Sequence, residues 1–258
     1  MKRVVAGLAV VALALAACST NGPDEREAGT SQPNPAPQGP QGVGPDVKTS
    51  GPYPFGTVQQ KAPAIENGQV PLVRRITTDK PYVFLTMDDG AVPDPDALQL
   101  MQQNATHPVL FLNQKYVKGH EAYFKQILDA TGATLGDHTV DHPNLKGKPL
   151  EFQRKEICDD ADDFQREFGV RPTLFRPPFG NYDQNTLRAA ATCGMRVAVL
   201  WTAAVNDGHV QFQAGDKLKP GDIVLMHFRK TFKEDYTAFV ERAKKDGLTP
   251  VPLADFLG

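Results

Sequence analysis

Between Tyr82 and Gly90 the chain reads Tyr-Val-Phe-Leu-Thr-Met-Asp-Asp-Gly, six β-branched, aromatic or apolar residues running straight into two carboxylates. A strand that buries itself and presents acids at its C-terminal end is how α/β folds deliver chemistry. Adjacent residues on a strand point to opposite sides, so Asp88 and Asp89 are expected to hold separate roles. Gly90 permits a sharp turn after them. Read alone, Asp-Asp-Gly after a strand is most simply a turn. The residues that follow give it another meaning.

From Pro71 onward short apolar runs alternate with helical ones. Pro95 to Gln103 reads as a helix, with Pro95 suited to a first turn, and Val109 to Leu112 as a buried strand. A helix over Gly119–Thr131 precedes a short strand, Ala133 to Leu135, that ends at Gly136. Leu150 to Phe168 places Ile157, Ala161, Phe164 and Phe168 on one helix face. A brief strand at Leu174-Phe175, a helix over Asp183–Cys193 and a strand over Val197–Trp201 come next. Ile223 to Met226 repeats the buried-strand pattern. Tyr236, Phe239, Val240 and Ala243 mark a last amphipathic helix, and Val251 to Leu253 a final short run. This alternation predicts an α/β fold with a parallel sheet wrapped by helices, open or closed into a barrel. With 258 residues and 40% hydrophobic content, the chain buries one good core or at most two small ones. Asp88, Asp89, His138, Arg176, Asp207 and His227 all fall at or just after the C-terminal ends of predicted strands, where such folds build sites.

The N-terminus carries an address. Lys2 and Arg3 precede an apolar run from Val4 to Ala17, the pattern of a signal peptide over residues 1–17. Leu15-Ala16-Ala17-Cys18 resembles a bacterial lipoprotein box, which implies lipid on the Cys18 sulfur; an ordinary secretory signal is the alternative. Residues 18–60 are rich in Pro, Gly, Gln, Ser and Asn and form a flexible tether. About 40 residues at roughly 3 Å each reach on the order of 100 Å. The expected product is an exported lipoprotein, anchored to the membrane and facing the cell wall or periplasm. A net charge of −2 gives no footprint for nucleic acid. With Cys18 lipidated, Cys158 and Cys193 remain as a pair; two buried free thiols are the plainer reading and a disulfide the other.

His138 and His142 stand at i and i+4, a spacing that chelates one ion on a helical turn. His-x-x-Asp-His also resembles an inverted zincin peptidase motif, but Gly136 and Pro143 break the helix that motif needs. An iron site of two histidines and one carboxylate usually contains His-x-Asp, and Val140 occupies that offset. His107 and His120 read as solvated loop residues, and His209 as a residue at the mouth of the site.

The region from Pro81 to the C-terminus resembles a polysaccharide deacetylase (NodB-homology) domain. Thr86-Met87-Asp88-Asp89-Gly90 is similar to that family's Thr-Phe-Asp-Asp-Gly, and His138-Thr139…His142 to its His-Ser/Thr-x-x-His. Arg176-Pro177-Pro178-Phe179-Gly180 and Leu225-Met226-His227 match two further motifs in order. The fourth motif, Asp-x-x-Asp-Trp, is altered: aligning on Trp201 sets Ala204 and Asp207 at its acids and Gly208 at its tryptophan. The resemblance implies a distorted (β/α) barrel with fewer than eight β/α units, occupying residues 61–258. It implies Asp89, His138 and His142 as ligands of one divalent metal, zinc or alternatively cobalt. Asp88 becomes the base, Arg176 keeps that carboxylate charged and oriented, and His227 becomes the acid, oriented by Asp207. Pro178, Phe179 and Gly180 would contact substrate.

The leading expectation is a metal-dependent hydrolase that removes N-acetyl groups from a polysaccharide such as peptidoglycan or a chitin-like chain. O-deacetylation of a substrate such as acetylated xylan is the same chemistry on an ester. The altered fourth motif motivates a different class, a glycan-binding lipoprotein that retains metal but turns over weakly.

Overall fold

Alternation along one strand sets the layers of the molecule. The computed structural model describes residues 53–258; the expected signal peptide, Cys18 and most of the tether lie outside the described residues. The elements in order are β1 (Leu72–Val73), β2 (Tyr82–Asp89), α1 (Ala97–Gln103), β3 (Val109–Leu112), α2 (Gln114–Val117), α3 (Glu121–Thr131) and β4 (Thr134–Asp137). Then come α4 (Leu150–Phe168), β5 (Leu174–Phe175), a 3-10 turn at Pro178–Gly180, α5 (Gln184–Thr192) and β6 (Val197–Val199). They are followed by β7 (Ala203–Asn206), β8 (His209–Phe212), β9 (Ile223–His227), α6 (Phe232–Lys245), β10 (Thr249–Pro250) and a 3-10 turn at Leu253–Phe256.

The sheet runs β1-β6-β5-β4-β3-β2-β9-β7-β8, with β10 beside β2. Its neighbours are parallel except for the β7–β8 hairpin. This is a distorted (β/α) barrel with fewer than eight units.

On β2, Val83, Leu85 and Met87 face the helices and pack with Phe124, Phe164, Phe232 and Phe239. Phe84, between them, faces inward onto Phe111, Val199, Ile223 and Phe256. Each buried side chain of this size contributes about 1.5–3 kcal/mol of transfer free energy. Thr86 and Asp88 continue the inward face, so the interior is apolar at its base and polar at the C-terminal ends of the strands. Gly136 makes room for this filling, because a Cβ there would stand 2.5 Å from the Phe111 ring.

Leu150–Phe168 is helical from end to end, closed by Gly169 in the left-handed conformation, and its four expected stripe residues are buried. Four expectations need correction. Val197–Trp201 stops as a strand at Val199, and the chain then forms the β7–β8 hairpin, which the alternation pattern did not suggest. Residues 53–60 do not behave as tether: Tyr53 donates to Asp255 Oδ2 at 2.8 Å, and the amides of Gly56 and Gln59 also reach Asp255. His107 is half-buried against Phe55 and bonded to the Thr131 carbonyl, while His120 is exposed as expected.

Fourth, Cys158 and Cys193 form a disulfide joining α4 to the residue after α5, with Cα atoms 4.8 Å apart. Whether two cysteines 35 residues apart meet depends on helix docking, which no local pattern encodes. Closing a loop of that length is worth about 3–4 kcal/mol in the chain-entropy account. Replacing both cysteines by serine is therefore expected to lower the unfolding free energy by that order in a denaturant titration.

Candidate functional site

Asp88 and Asp89 share one pocket although they are adjacent on a strand. Asp88 keeps the inward face of β2, in register with His227 on β9. Asp89 has φ +74°, so the backbone leaves strand geometry there and turns the second carboxylate toward the same space. Thr139, His142 and Phe179 also have positive φ, so four of the seven such non-glycine residues described lie at or beside this pocket. Strain of this kind persists where surrounding structure over-determines it, commonly at sites.

The ligating atoms of Asp89, His138 and His142 all lie within 4.8 Å of one another. His138 Nε2 and His142 Nε2 stand 3.7 and 3.5 Å from Asp89 Oδ1. His138 Nδ1 donates to the Arg176 carbonyl at 2.6 Å, leaving the Nε2 lone pair aimed at the carboxylate. Burial lowers the His138 pKa to about 3, so its imidazole is neutral. Burial also raises Asp89, against the pull of His138. The segment from His138 to Pro149 contains no helix, consistent with the breaking effect of Gly136 and Pro143.

Arg176 is fully buried and positions Asp88. Its guanidinium donates to Asp88 Oδ1 at 2.6 Å, to Thr86 Oγ1 at 2.8 Å and to the Val199 carbonyl at 3.1 Å. It lies 4.3 Å from the Phe111 ring centre and 5.5 Å from that of Trp201. The other Asp88 oxygen is 3.5 Å from His138 Nε2. Burial lowers the His227 pKa to about 4, with Asp88 opposing, and His227 Nδ1 is buried without a hydrogen-bond partner among the described residues.

The pocket is lined by Asp88, Asp89, His138, His142 and His227 together with Tyr116, Phe179, Trp201, Leu225 and Arg229. Of the three residues expected to touch substrate, Phe179 alone lines it; Pro178 is buried, and Gly180 packs under Trp201. Although Gly208 stands at the tryptophan of the fourth motif, Trp201 lines the pocket with an aromatic face.

Asp207 is not brought to His227. It is exposed at the tip of the β7–β8 hairpin, where Asp207 (φ +50°) and Gly208 (φ +72°) make the primed two-residue turn that suits strand twist. His209 is likewise directed elsewhere, beside Gly208, Ala238 and Glu241 rather than in the pocket. Asp207→Asn, which keeps a side chain tolerant of positive φ, is expected to leave kcat/KM for an acetylated substrate within about twofold. A loss of tenfold or more would restore Asp207 to the role of orienting His227.

Three supporting residues escaped the sequence reading. Asn113, buried after β3, donates its backbone amide to the Asp89 carbonyl at 3.2 Å and its side-chain amide to the carbonyls of His138 and Thr139. Asp137 and Asp160, both fully buried, receive the amides of Thr139 (3.1 Å) and of Gln114 and His138 (2.9 and 3.3 Å). Burial pushes both well above the ordinary carboxylate range. A charged residue inside the apolar stripe of α4 was the available signal for Asp160, since buried acids are held for a reason.

Residues 75–198 match the family model described as polysaccharide deacetylase. An uncharacterized protein of Streptomyces coelicolor is 46% identical over 158 residues, covering 60% of this chain and 63% of that protein. A peptidoglycan-N-acetylglucosamine deacetylase of Bacillus cereus is 28% identical over 159 residues, covering 58% and 56%. The chain thus spans about six tenths of the length of these curated relatives. Among solved structures, a CE4 family pseudoenzyme from Bacillus anthracis superposes with a TM-score of 0.61 at 22% identity, over 72% of this chain and 68% of that one.

Proposed function

We propose that this chain, whose residues 75–198 match the polysaccharide deacetylase family model, is a metal-dependent hydrolase removing acetyl groups from an envelope or environmental polysaccharide. The observation that carries the reading is Asp89 Oδ1, a buried carboxylate oxygen with no hydrogen-bond partner among the described residues, faced by two imidazole nitrogens. An unpaired buried carboxylate is costly, and a cation between these three donors removes that cost. One carboxylate and two imidazoles suit a borderline divalent ion, zinc first and cobalt second, with coordination positions left open. Such an ion supplies Lewis-acid polarisation of an acyl carbonyl and acidifies water.

The remaining chemistry belongs to the side chains. Asp88, held by Arg176, accepts the proton of the attacking water. His227, paired in register with Asp88, delivers a proton to the departing amine or alcohol. The products are acetate and a free amine or hydroxyl. Phe179, Trp201 and Tyr116 offer apolar faces to sugar rings. The proposal extends to export and lipid anchoring at Cys18, tested by whether palmitate labelling is lost in Cys18→Ala.

One observation favours a second reading, that of a metal-retaining glycan binder with weak turnover. His227 Nδ1 has no acceptor, and burial weakens the ring's hold on a proton, so its acid role lacks support. Acetate release from peptidoglycan, chitooligomers and acetylated xylan, measured with zinc and with cobalt, separates the two. Loss of about 100-fold or more in His227→Ala supports catalysis; indifference to that substitution supports the binder.

A further inference from the structure

Within the pocket the charges are unevenly spent. Arg176 is committed to Asp88, and His138 Nδ1 to the Arg176 carbonyl. Arg229, two residues beyond His227, is different. It lines the same pocket, it is exposed, and among the described residues it makes no ion pair. Its guanidinium is tied by one neutral bond, donated to Asn206 Oδ1 at 2.9 Å, at the end of β7. That bond limits where the side chain can swing and leaves further N–H donors unclaimed.

A cation fixed at the mouth of a glycan site with no protein counter-ion is placed for an anion on the ligand. We propose that Arg229 determines specificity by recognising a carboxylate on the glycan, beside the sugar ring that carries the acetyl group. The substrate class is then an acidic polysaccharide, one bearing uronic acid or a carboxylate ether substituent, in preference to a neutral homopolymer. The aromatic wall of Phe179, Trp201 and Tyr116 would take the ring faces while the guanidinium takes the acid, a division of labour that fits its planar donor fork. This inference rests on the proposed glycan reading of the site.

Two readouts test it with the zinc-loaded full chain. One is the dissociation constant, at low ionic strength, of an N-acetylated oligosaccharide containing a carboxylate sugar and of a neutral chitooligomer of equal length. The other is the ratio of kcat/KM for the same two ligands. The acidic ligand should bind the wild type about tenfold more tightly than it binds Arg229→Ala, with the advantage shrinking in salt. Arg229→Lys should recover part of the preference, and the kcat/KM ratio should fall in parallel. Equal affinity of the wild type for both ligands would overturn the inference, as would an equal loss for both in Arg229→Ala. Should neither ligand release acetate while the affinity preference persists, the hydrolase reading fails and this one stands.

Discussion

Asp88→Asn is expected to reduce acetate release by about 10²- to 10⁴-fold while metal content stays close to that of the wild type. The substitution is nearly isosteric and keeps a carbonyl oxygen for the Arg176 N–H that lies 2.6 Å from the carboxylate. It removes the basic oxygen facing the pocket and leaves Asp89, His138 and His142 untouched. The loss should fall on kcat rather than on KM, because a general base acts on a proton in flight and not on the sugar. If metal were lost together with activity, Asp88 would belong to the ligand set.

The largest stability effect should come from Arg176. Its side chain is fully buried and donates to Asp88, Thr86 and two backbone carbonyls, with its flat face against Phe111. Arg176→Met fills much of the volume but strands a buried carboxylate and two carbonyls. Breaking a buried pair in this way costs about 3–5 kcal/mol. The denaturation midpoint should drop accordingly with no change in m-value. Arg176→Lys should recover only part of it, since an ammonium cannot reach acceptors spread around a planar fork. A neutral outcome would mean that this network contributes little to the fold.

The legibility of the molecule from its sequence follows physical range. β2 and α4 were readable because burial periodicity is local: continuous for a strand covered on both faces, 3.6-fold for a helix. Asp89, His138 and His142 were readable as a set through their resemblance to the polysaccharide deacetylase motifs, and their ligating atoms lie within 4.8 Å of one another. Asp207 was misplaced because alignment on Trp201 assumed that the chain continued into the site after β6. The Asp-Gly dipeptide between Val205 and Val210 was the stronger local signal, a hairpin turn. Asn113, Asp137 and Asp160 act through backbone amides brought together by the sheet, so no spacing announces them. Arg229 lies two residues from His227 on the chain, yet its lack of an ion pair among the described residues is visible only in three dimensions.

The central claim is that Asp89, His138 and His142 hold a divalent ion on which deacetylation depends. Its most direct test is to strip the protein with a chelator, then follow bound metal and acetate release together as zinc is returned. The expected result is loss of activity in the stripped protein and recovery that saturates at one ion per chain, with neither binding nor activity in Asp89→Ala. Undiminished acetate release from metal-free protein would contradict it, and so would one tightly bound ion in Asp89→Ala.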